Sequence, residues 1–161
     1  MRTVGFEKHD HTACVDGMIT VAEAYCAENK LQFTSIRREV LELLLEAHKA
    51  LGAYDILERL TSEGQRVQPP VAYRALDFLV KHGFAHKIEQ LSAYIACAHP
   101  DENHVPAFMI CRICNSVAET YSNSPDGMLG QAAKDSGFRI ERIVVEAEGV
   151  CPRCAALDDV E

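Results

Sequence analysis

The sequence predicts an α+β protein of two small domains, the first mainly helical and the second a smaller mixture of strands and helix. Two observations lead to this prediction. The first half repeats apolar residues at helical spacing in four segments, after which the pattern changes to alternation. The second half contains shorter alternating segments and two C-x-x-C pairs. A chain of 161 residues is long enough for two domains of this kind.

Four helices are predicted in the first half. The second has the clearest apolar stripe, with charged residues over the rest of its surface. Thr34 is suited to cap a helix start, Pro69-Pro70 to open one, and Gly64 and Gly83 to end one. The predicted helices are Met18–Asn29, Thr34–Ala47, Tyr54–Glu63 and Val71–His82. The second of these ranges includes the capping residue, Thr34.

A hairpin is predicted directly after the fourth helix. The segments Phe84–Glu89 and Ala93–Cys97 alternate like strands, and a turn at Leu91 and Ser92 would join them. Helices followed by a two-stranded hairpin are typical of a winged helix-turn-helix, in which the last helix reads DNA. The first half is therefore expected to be a winged-helix domain, residues 18–97, preceded by a flexible tail at residues 1–17.

The second half is predicted to begin after a hinge. The segment 98–106 contains two prolines and several polar residues, as hinges often do. The apolar parity of the last long strand switches between Ile140 and Ile143, which indicates a bulge or bend. The elements predicted in this small α/β domain, residues 107–161, are strands Ala107–Ile110, Val117–Tyr121 and Phe138–Glu148 and a helix Asp126–Ser136.

Composition narrows the possible functions. No stretch approaches the ~20 apolar residues of a membrane span, and the N-terminus lacks the apolar core of a secretion signal. Seven cysteines with two C-x-x-C pairs favour metal binding in a reducing compartment, so a cytoplasmic location is expected. The net charge of −8 argues against nucleic acid, but residues 1–85 carry only about −2 of it. The first domain is thus the better candidate for a phosphate-binding surface.

The four paired cysteines carry the strongest chemical signal. Cys111 and Cys114 form one pair and Cys151 and Cys154 the other, with 36 residues between the pairs. Four thiolates form the usual closed, tetrahedral site for structural Zn²⁺. Because all four positions would be filled by protein, no position remains for a catalytic water. The alternatives are buried core cysteines or a redox pair.

A second metal site is predicted from residues spread along the chain. If the hairpin turns over residues 91–92, His86 lies directly opposite Cys97 on the wing. His104 follows at the hinge, and Glu119 lies on a strand of the second domain. One thiolate, two imidazoles and one carboxylate suit Zn²⁺ better than Fe²⁺ or Mn²⁺, and such a site would control the angle between domains. The alternatives are a hydrogen-bonded wing histidine and a solvated strand carboxylate.

Several of these segments resemble a known family. PPVAYRALDFL at 69–79, FAHK at 84–87 and the two cysteine pairs resemble the ferric uptake regulator superfamily, and particularly its zinc-responsive branch. The resemblance covers the chain from about Met18 to Cys154. Two departures are Val71-Ala72, where the family usually has Thr-Val, and the lack of the His-rich run of iron-type members. The first puts one backbone contact to DNA in doubt, and the second favours zinc over iron.

The resemblance implies a homodimer in which the second domain dimerises and palindromic double-stranded DNA is the partner. It implies two zinc ions per chain, structural at the four cysteines and regulatory at the His86, Cys97, His104 and Glu119 set. Tyr73 and Arg74 fall on base-reading positions, and the expected phosphate contacts are Tyr54, Arg37, Arg38 and Lys81. The implied function is repression of zinc-uptake genes when zinc is bound, with an iron- or peroxide-responsive regulator as the alternative.

Other functions are less compatible with the sequence. Cys151-Pro-Arg-Cys154 is similar to a deaminase knuckle, but no H-x-E occurs in the chain, so no enzyme and no small organic substrate are expected. His9, His11 and Cys14 form either a third, weak metal site or an unstructured segment without metal. Cys26 lies on the first predicted helix and is expected to be buried in the core of the first domain.

Overall fold

A computed structural model describes residues 11–47, 49–62, 64, 66–100, 104–122 and 127–158. The chain divides after Pro100 into two compact units. Helices and strands are mixed in both, which confirms the α+β prediction. Among the described residues, no helix combines the length and apolar character needed to cross a membrane.

The N-terminal unit is the predicted winged helix-turn-helix. Its four helices pack through a continuous apolar core that includes Val40, Leu44, Ile56 and Leu76. Its three strands form an antiparallel sheet in the order β1-β3-β2. The elements are α1 (His11–Glu28), α2 (Ser35–Glu46), β1 (Leu51–Gly52), α3 (Ala53–Ser62), α4 (Pro69–Lys81), β2 (Ala85–Ile88) and β3 (Ala93–Ala96).

The first helix begins earlier than predicted. It starts at His11 rather than Met18, so residues 11–17 of the expected tail are helical. Val15 packs against the core four residues before the buried Ile19, which extends the apolar stripe by one turn. Residues 1–10, including His9, lie outside the described residues. The buried position of Cys26 in this helix confirms its assignment to the core.

The wing has a different register from the predicted one. Ile88 pairs with Ala93 and His86 with Ile95, so four residues form the turn instead of Leu91 and Ser92 alone. The Ser92 amide donates to the Glu89 carbonyl at 3.2 Å, and Ser92 adopts a φ of 47°. A four-residue loop is favoured here because a two-residue hairpin turn needs glycine, asparagine or aspartate, and Leu91 and Ser92 are none of these. The prediction that His86 lies opposite Cys97 is therefore wrong.

The end of α4 is held by aromatic and histidine contacts with α1. The Tyr25 hydroxyl lies 3.3 Å from His82 Nδ1, and the Tyr25 ring packs edge-on against Phe84. The His82 ring also lies against Phe78, with 4.5 Å between ring centroids. Gly83, with a φ of 79°, ends the helix as predicted. These contacts hold the C-terminal end of α4 against α1.

His82 should make the stability of this unit depend on pH. Burial, followed by the positive charges of Lys81 and Arg37, lowers the pKa of His82 below its ordinary value. The unfolded chain therefore binds a proton more readily than the folded chain, and stability should fall as the pH falls through ~6.5. We expect wild type to lose more thermal stability than His82→Gln between about pH 7.5 and 5.5 in zinc-saturated buffer. An equal loss in both proteins would contradict this assignment.

The C-terminal unit is a three-stranded sheet with two helices. The strand order is β5-β4-β6, with β4 antiparallel to β5 and parallel to β6. The N-terminal residues of β4 include Val105 and Pro106, which the sequence placed in the hinge. The elements are β4 (Val105–Cys111), β5 (Val117–Ser122), α5 (Met128–Ser136), β6 (Val145–Gly149) and α6 (Pro152–Asp158).

The long strand predicted at Phe138–Glu148 is wrong. Only Val145–Gly149 is a strand, and residues 138–144 have no regular structure. The Phe138 amide instead donates to Ala133 at the end of α5, where Gly137 has a φ of 71°. Val145 pairs with Ala107, close to the start of β4, so a strand that began near residue 140 would extend beyond the end of β4. The switch in apolar parity between Ile140 and Ile143 therefore lies in this irregular segment and is not a bulge or bend within a strand.

Candidate functional site

The four paired cysteines come together in the C-terminal unit, as the sequence predicts. Their sulfur atoms all lie within 4.8 Å of one another, and those of Cys114 and Cys151 are 3.8 Å apart. A tetrahedral zinc ion with bonds of about 2.3 Å to sulfur places its ligands about 3.8 Å apart. Cys111, Cys151 and Cys154 are buried and Cys114 is half-buried. The geometry and the thiolate donors fit Zn²⁺.

Two backbone features position these sulfurs. The parallel pairing of β4 and β6 ends at Cys111 opposite Gly149, so both cysteine pairs begin at the same edge of the sheet. The first knuckle is closed by hydrogen bonds from the Asn115 amide to the Cys111 carbonyl and from the Cys111 amide to the Ser116 carbonyl, both 2.9 Å. The amide of Cys151 then points at Cys111 Sγ, 3.4 Å away. Neighbouring strand ends thus place two distant sequence segments around one point.

The electrostatics of the cluster favour a bound cation. The Ser116 hydroxyl lies 3.1 Å from Cys114 Sγ, and this contact, followed by the Ser116 amide, lowers the pKa of Cys114 to about 5. Burial and the neighbouring thiols raise the pKa of Cys154 to about 12. The cluster thus favours a thiolate at Cys114 and a neutral thiol at Cys154. Four thiolates this close together would repel one another, and a divalent ion offsets that repulsion.

Sequence reasoning missed Ser116 and Arg153 as supports of this cluster. Ser116 follows the first knuckle by two residues, so a C-x-x-C-x-S pattern was available as a signal. Arg153 lies inside the second knuckle, and contact with the Cys114 thiolate, followed by its charge and that of Cys151, raises the pKa of Arg153. Such outer partners orient ligands and offset their negative charge.

Two of the residues predicted for the second site form a buried pair in the C-terminal unit. His104 Nε2 lies 3.0 Å from Glu119 Oε1, and both side chains are nearly excluded from solvent. Glu119 lies on β5 opposite Phe108 and is 2% exposed. A carboxylate is rarely buried so completely unless it is paired or binds a metal ion. The solvated-carboxylate alternative for Glu119 is therefore wrong.

The other two residues belong to the wing of the N-terminal unit. His86 pairs with Ile95, and Cys97 lies two residues further along the same strand direction, so both point to one side of the hairpin. The Cys97 amide continues the ladder by donating to the Phe84 carbonyl at 2.9 Å. Cys97 is buried, and its sulfur accepts from the His99 amide at 3.4 Å. The wing thus offers an imidazole and a thiol as diagonal neighbours.

The predicted DNA-binding residues differ in their surroundings. Tyr54, at the start of α3, is 82% exposed, and Tyr73 and Arg74 are exposed on α4. Arg37 instead stacks its guanidinium 3.7 Å from the centroid of the Phe78 ring. Arg38 forms ion pairs with Glu23 and, at 3.0 Å, with Glu42. Lys81 is exposed at the end of α4. One face of α4 is thus exposed, whereas Arg37 and Arg38 are engaged by other side chains of the domain.

A winged helix with an exposed fourth helix, joined to a unit with a four-cysteine metal cluster, defines a metal-binding, DNA-binding regulator. The family model described as "Ferric uptake regulator family" matches residues 28–148. The zinc uptake regulation protein of Escherichia coli (strain K12) is 34% identical over 142 residues, which cover 88% of this chain and 83% of that protein. The chain belongs to the ferric uptake regulator family.

Solved structures agree with this assignment. A zinc uptake regulator complexed with zinc and DNA has a TM-score of 0.86 and 34% identity, with 90% of this chain and 97% of that chain covered. Holo XcZur has a TM-score of 0.79 and 37% identity, with 88% and 99% covered. The ferric uptake regulator of Helicobacter pylori, at 18% identity and a TM-score of 0.55, supports the fold alone.

Proposed function

We propose that this protein is a zinc-responsive transcriptional repressor which, with zinc bound, binds palindromic operators as a homodimer and silences zinc-uptake genes. The observation that carries the proposal is likeness over nearly the whole of both chains to a zinc uptake regulator complexed with zinc and DNA. The protein acts in the cytoplasm and has no catalytic role. Its metal cluster has four protein ligands, which leaves no open position for a reacting water.

The four cysteines hold the structural zinc. The 3.8 Å separation between Cys114 and Cys151 sulfurs and the Ser116 donor support this role. A zinc ion held by these four cysteines would join the end of β4 to the start of α6. Structural zinc sites contribute roughly 10–16 kcal/mol of apparent binding energy to folding. This site therefore stabilises the C-terminal unit in all functional states.

The second zinc ion of each chain binds His86, Cys97, His104 and Glu119. Two features of the separate units support this assignment: an imidazole and a buried thiol share one side of the wing, and His104 is paired with the buried Glu119. Only six residues lie between Cys97 and His104, so the connection is short. One ion bound by ligands from both units would restrict how the two units move.

Such a site is strong enough to act as a switch. Moving a two-state equilibrium from 1:99 to 99:1 requires about 5.5 kcal/mol of differential binding. A zinc site of roughly 10 kcal/mol or more exceeds that requirement. The filled site selects the arrangement in which two reading helices match the spacing of operator half-sites, and the empty site allows other arrangements.

Exposed apolar side chains of the C-terminal unit support homodimerisation. Met128 is 91% exposed and Phe138 69% exposed, whereas monomeric proteins rarely leave large apolar patches in water. A second copy of the chain would cover them, and a two-fold dimer matches the symmetry of a palindromic operator. Further exposed apolar side chains of this unit are Leu129, Val144 and Val145.

In the DNA complex, α4 lies in the major groove. The Arg74 guanidinium suits guanine O6 and N7, and the Tyr73 ring suits a thymine methyl group. Tyr54 and Lys81 contact phosphates. Arg37 and Arg38 contribute two further phosphate contacts, for which Arg38 exchanges its ion pairs with Glu23 and Glu42. An iron- or peroxide-responsive regulator remains the second candidate, but relatives named for zinc uptake favour zinc.

Zinc should raise operator affinity by at least about 100-fold, corresponding to ~2.7 kcal/mol of coupling. The experiment titrates Zn²⁺ into the chelator-treated dimer while fluorescence anisotropy follows binding to a palindromic operator duplex. Parallel anaerobic titrations use Fe²⁺ and Mn²⁺. A gain with Fe²⁺ alone would favour the iron-responsive alternative, and no gain with any metal would remove metal sensing from the proposal.

A further inference from the structure

The exposed face of α4 contains an acidic residue between its cationic ones. Ala72, Ala75, Leu76 and Leu79 are buried and attach the helix to the core. The opposite face exposes Tyr73, Arg74, Asp77 and Lys81. Asp77 follows Arg74 by three residues and Tyr73 by four, so the three share one face of the helix. A carboxylate thus lies within the surface proposed to enter the groove.

The spacing places Asp77 at a base-reading position. In homeodomains the side chains that read the major groove follow the pattern i, i+3, i+4 and i+7 along one helix. Pro70, Tyr73, Arg74 and Asp77 have this spacing. Asp77 lies about 4.5 Å further along the helix axis than Arg74, compared with about 3.4 Å between base pairs. Its side chain therefore faces a base pair near, but distinct from, the one that Arg74 reads.

Asp77 differs from two other acidic residues of the N-terminal unit, which have hydrogen-bond or ion-pair partners within that unit. Glu42 is paired with Arg38, and Asp55 accepts a hydrogen bond from the Gly52 amide at 3.1 Å. Within the described part of the chain, no hydrogen bond or ion pair engages the Asp77 carboxylate. Its interaction inside the domain is with Tyr94 on β3, whose pKa is raised by burial and, to a smaller extent, by the charge of Asp77. A carboxylate on this face is repelled by phosphates, so its presence weakens DNA binding unless a base edge donates a hydrogen bond to it.

Cytosine presents the most suitable edge for a carboxylate. An ionised carboxylate can only accept, and in the major groove cytosine offers its N4 amino group as a donor. Guanine offers two acceptors and thymine one, and adenine places its N7 acceptor beside its N6 donor. A carboxylate therefore excludes most base pairs by repulsion as well as selecting one by a hydrogen bond.

We propose that Asp77 is a specificity-determining residue that accepts a hydrogen bond from the N4 amino group of a cytosine in each operator half-site. The inference deepens the proposed function and rests on it. The cytosine lies one or two base pairs from the guanine that Arg74 reads. Asp77 lowers affinity for DNA in general and restricts tight binding to sites with cytosine at this position.

The test uses a library of DNA duplexes with randomised sequence. Zinc-saturated, full-length wild type and variants each select duplexes by binding, and the bound duplexes are recovered and sequenced. Wild type should enrich a palindrome with cytosine at one symmetric pair of positions. Asp77→Asn should lose this preference by about tenfold and accept adenine there, because an amide pairs with adenine N6 and N7. Asp77→Ala should lose the preference without gaining another.

Two further variants serve as controls. Arg74→Ala should lose the preference for guanine and so locates the base pair that Arg74 reads. Glu28→Gln removes one exposed negative charge elsewhere in the domain and should leave the enriched motif unchanged.

Each other outcome has a defined meaning. If Asp77→Asn strengthens binding to every sequence by the same factor, Asp77 acts only through charge and the proposal is wrong. It is also wrong if Asp77→Asn and Arg74→Ala lose preference at the same base pair, because Asp77 would then only orient Arg74. If wild type enriches no palindrome in the presence of zinc, the proposed function itself fails and the inference fails with it.

Discussion

Cys97→Ser should abolish the zinc-dependent gain in operator affinity while leaving the protein folded. Cys97 is proposed to supply the only thiolate of the regulatory site, and a serine hydroxyl does not ionise at neutral pH. Removing a partner outside the ligand shell typically weakens metal binding 10- to 100-fold, so loss of a ligand should weaken it by more than about 100-fold. The backbone hydrogen bond from residue 97 to Phe84 does not depend on the side chain.

Two measurements check this expectation: operator anisotropy against free zinc, and thermal unfolding of the same samples. Cys14→Ser is the matched control, because Cys14 is exposed and belongs to neither of the two zinc sites proposed for each chain. The control should respond to zinc as wild type does. A full zinc response in Cys97→Ser would remove this residue from the regulatory site.

Cys114→Ser should destabilise the C-terminal unit and release its structural zinc. The apparent contribution of such a site is roughly 10–16 kcal/mol, which exceeds the 5–15 kcal/mol total stability of typical domains. Loss of one of the four thiolates removes much of this energy and leaves an incomplete set of ligands for the ion. Zinc content per chain and amide hydrogen exchange across β4 and β6 would measure the effect.

Ile113→Ser is the control for this variant, since Ile113 is an exposed residue of the same knuckle. It should keep its zinc and its exchange protection. If Cys114→Ser retained a folded C-terminal unit and lost only the zinc response, the division into a structural and a regulatory site would be wrong. If Cys97→Ser and Cys114→Ser behaved alike, the same conclusion would follow.

The parts of the fold that the sequence predicted well depend on local chemistry. The helix α4 was recognisable from Pro69-Pro70 at its start and Gly83 at its end, because these residues act through their own backbone angles. The four-cysteine cluster was recognisable because C-x-x-C places two thiols on one turn, and the chain offers two such pairs.

The predictions that failed concerned strand pairing, which the pattern of apolar residues in one segment does not determine. The register of the wing required knowing whether two or four residues form its turn, and alternation alone permits both. The strand predicted from Phe138 is limited by the length of β4, which pairs with it across more than thirty residues of sequence. The short strand β1 and the helix α6 were not predicted, because neither is long enough to show a period.

The sequence by itself determined the fold class, the two ends of α4 and the grouping of the four cysteines, because spacing and side-chain chemistry act over a few residues. Only the tertiary structure decided that Glu119 is buried against His104, that Ser116 supports Cys114, and that Arg38 is paired while Arg74 is exposed. These properties arise when distant segments pack together. Burial and pairing then determine whether a charged side chain stabilises the protein, binds a metal ion or remains available for DNA.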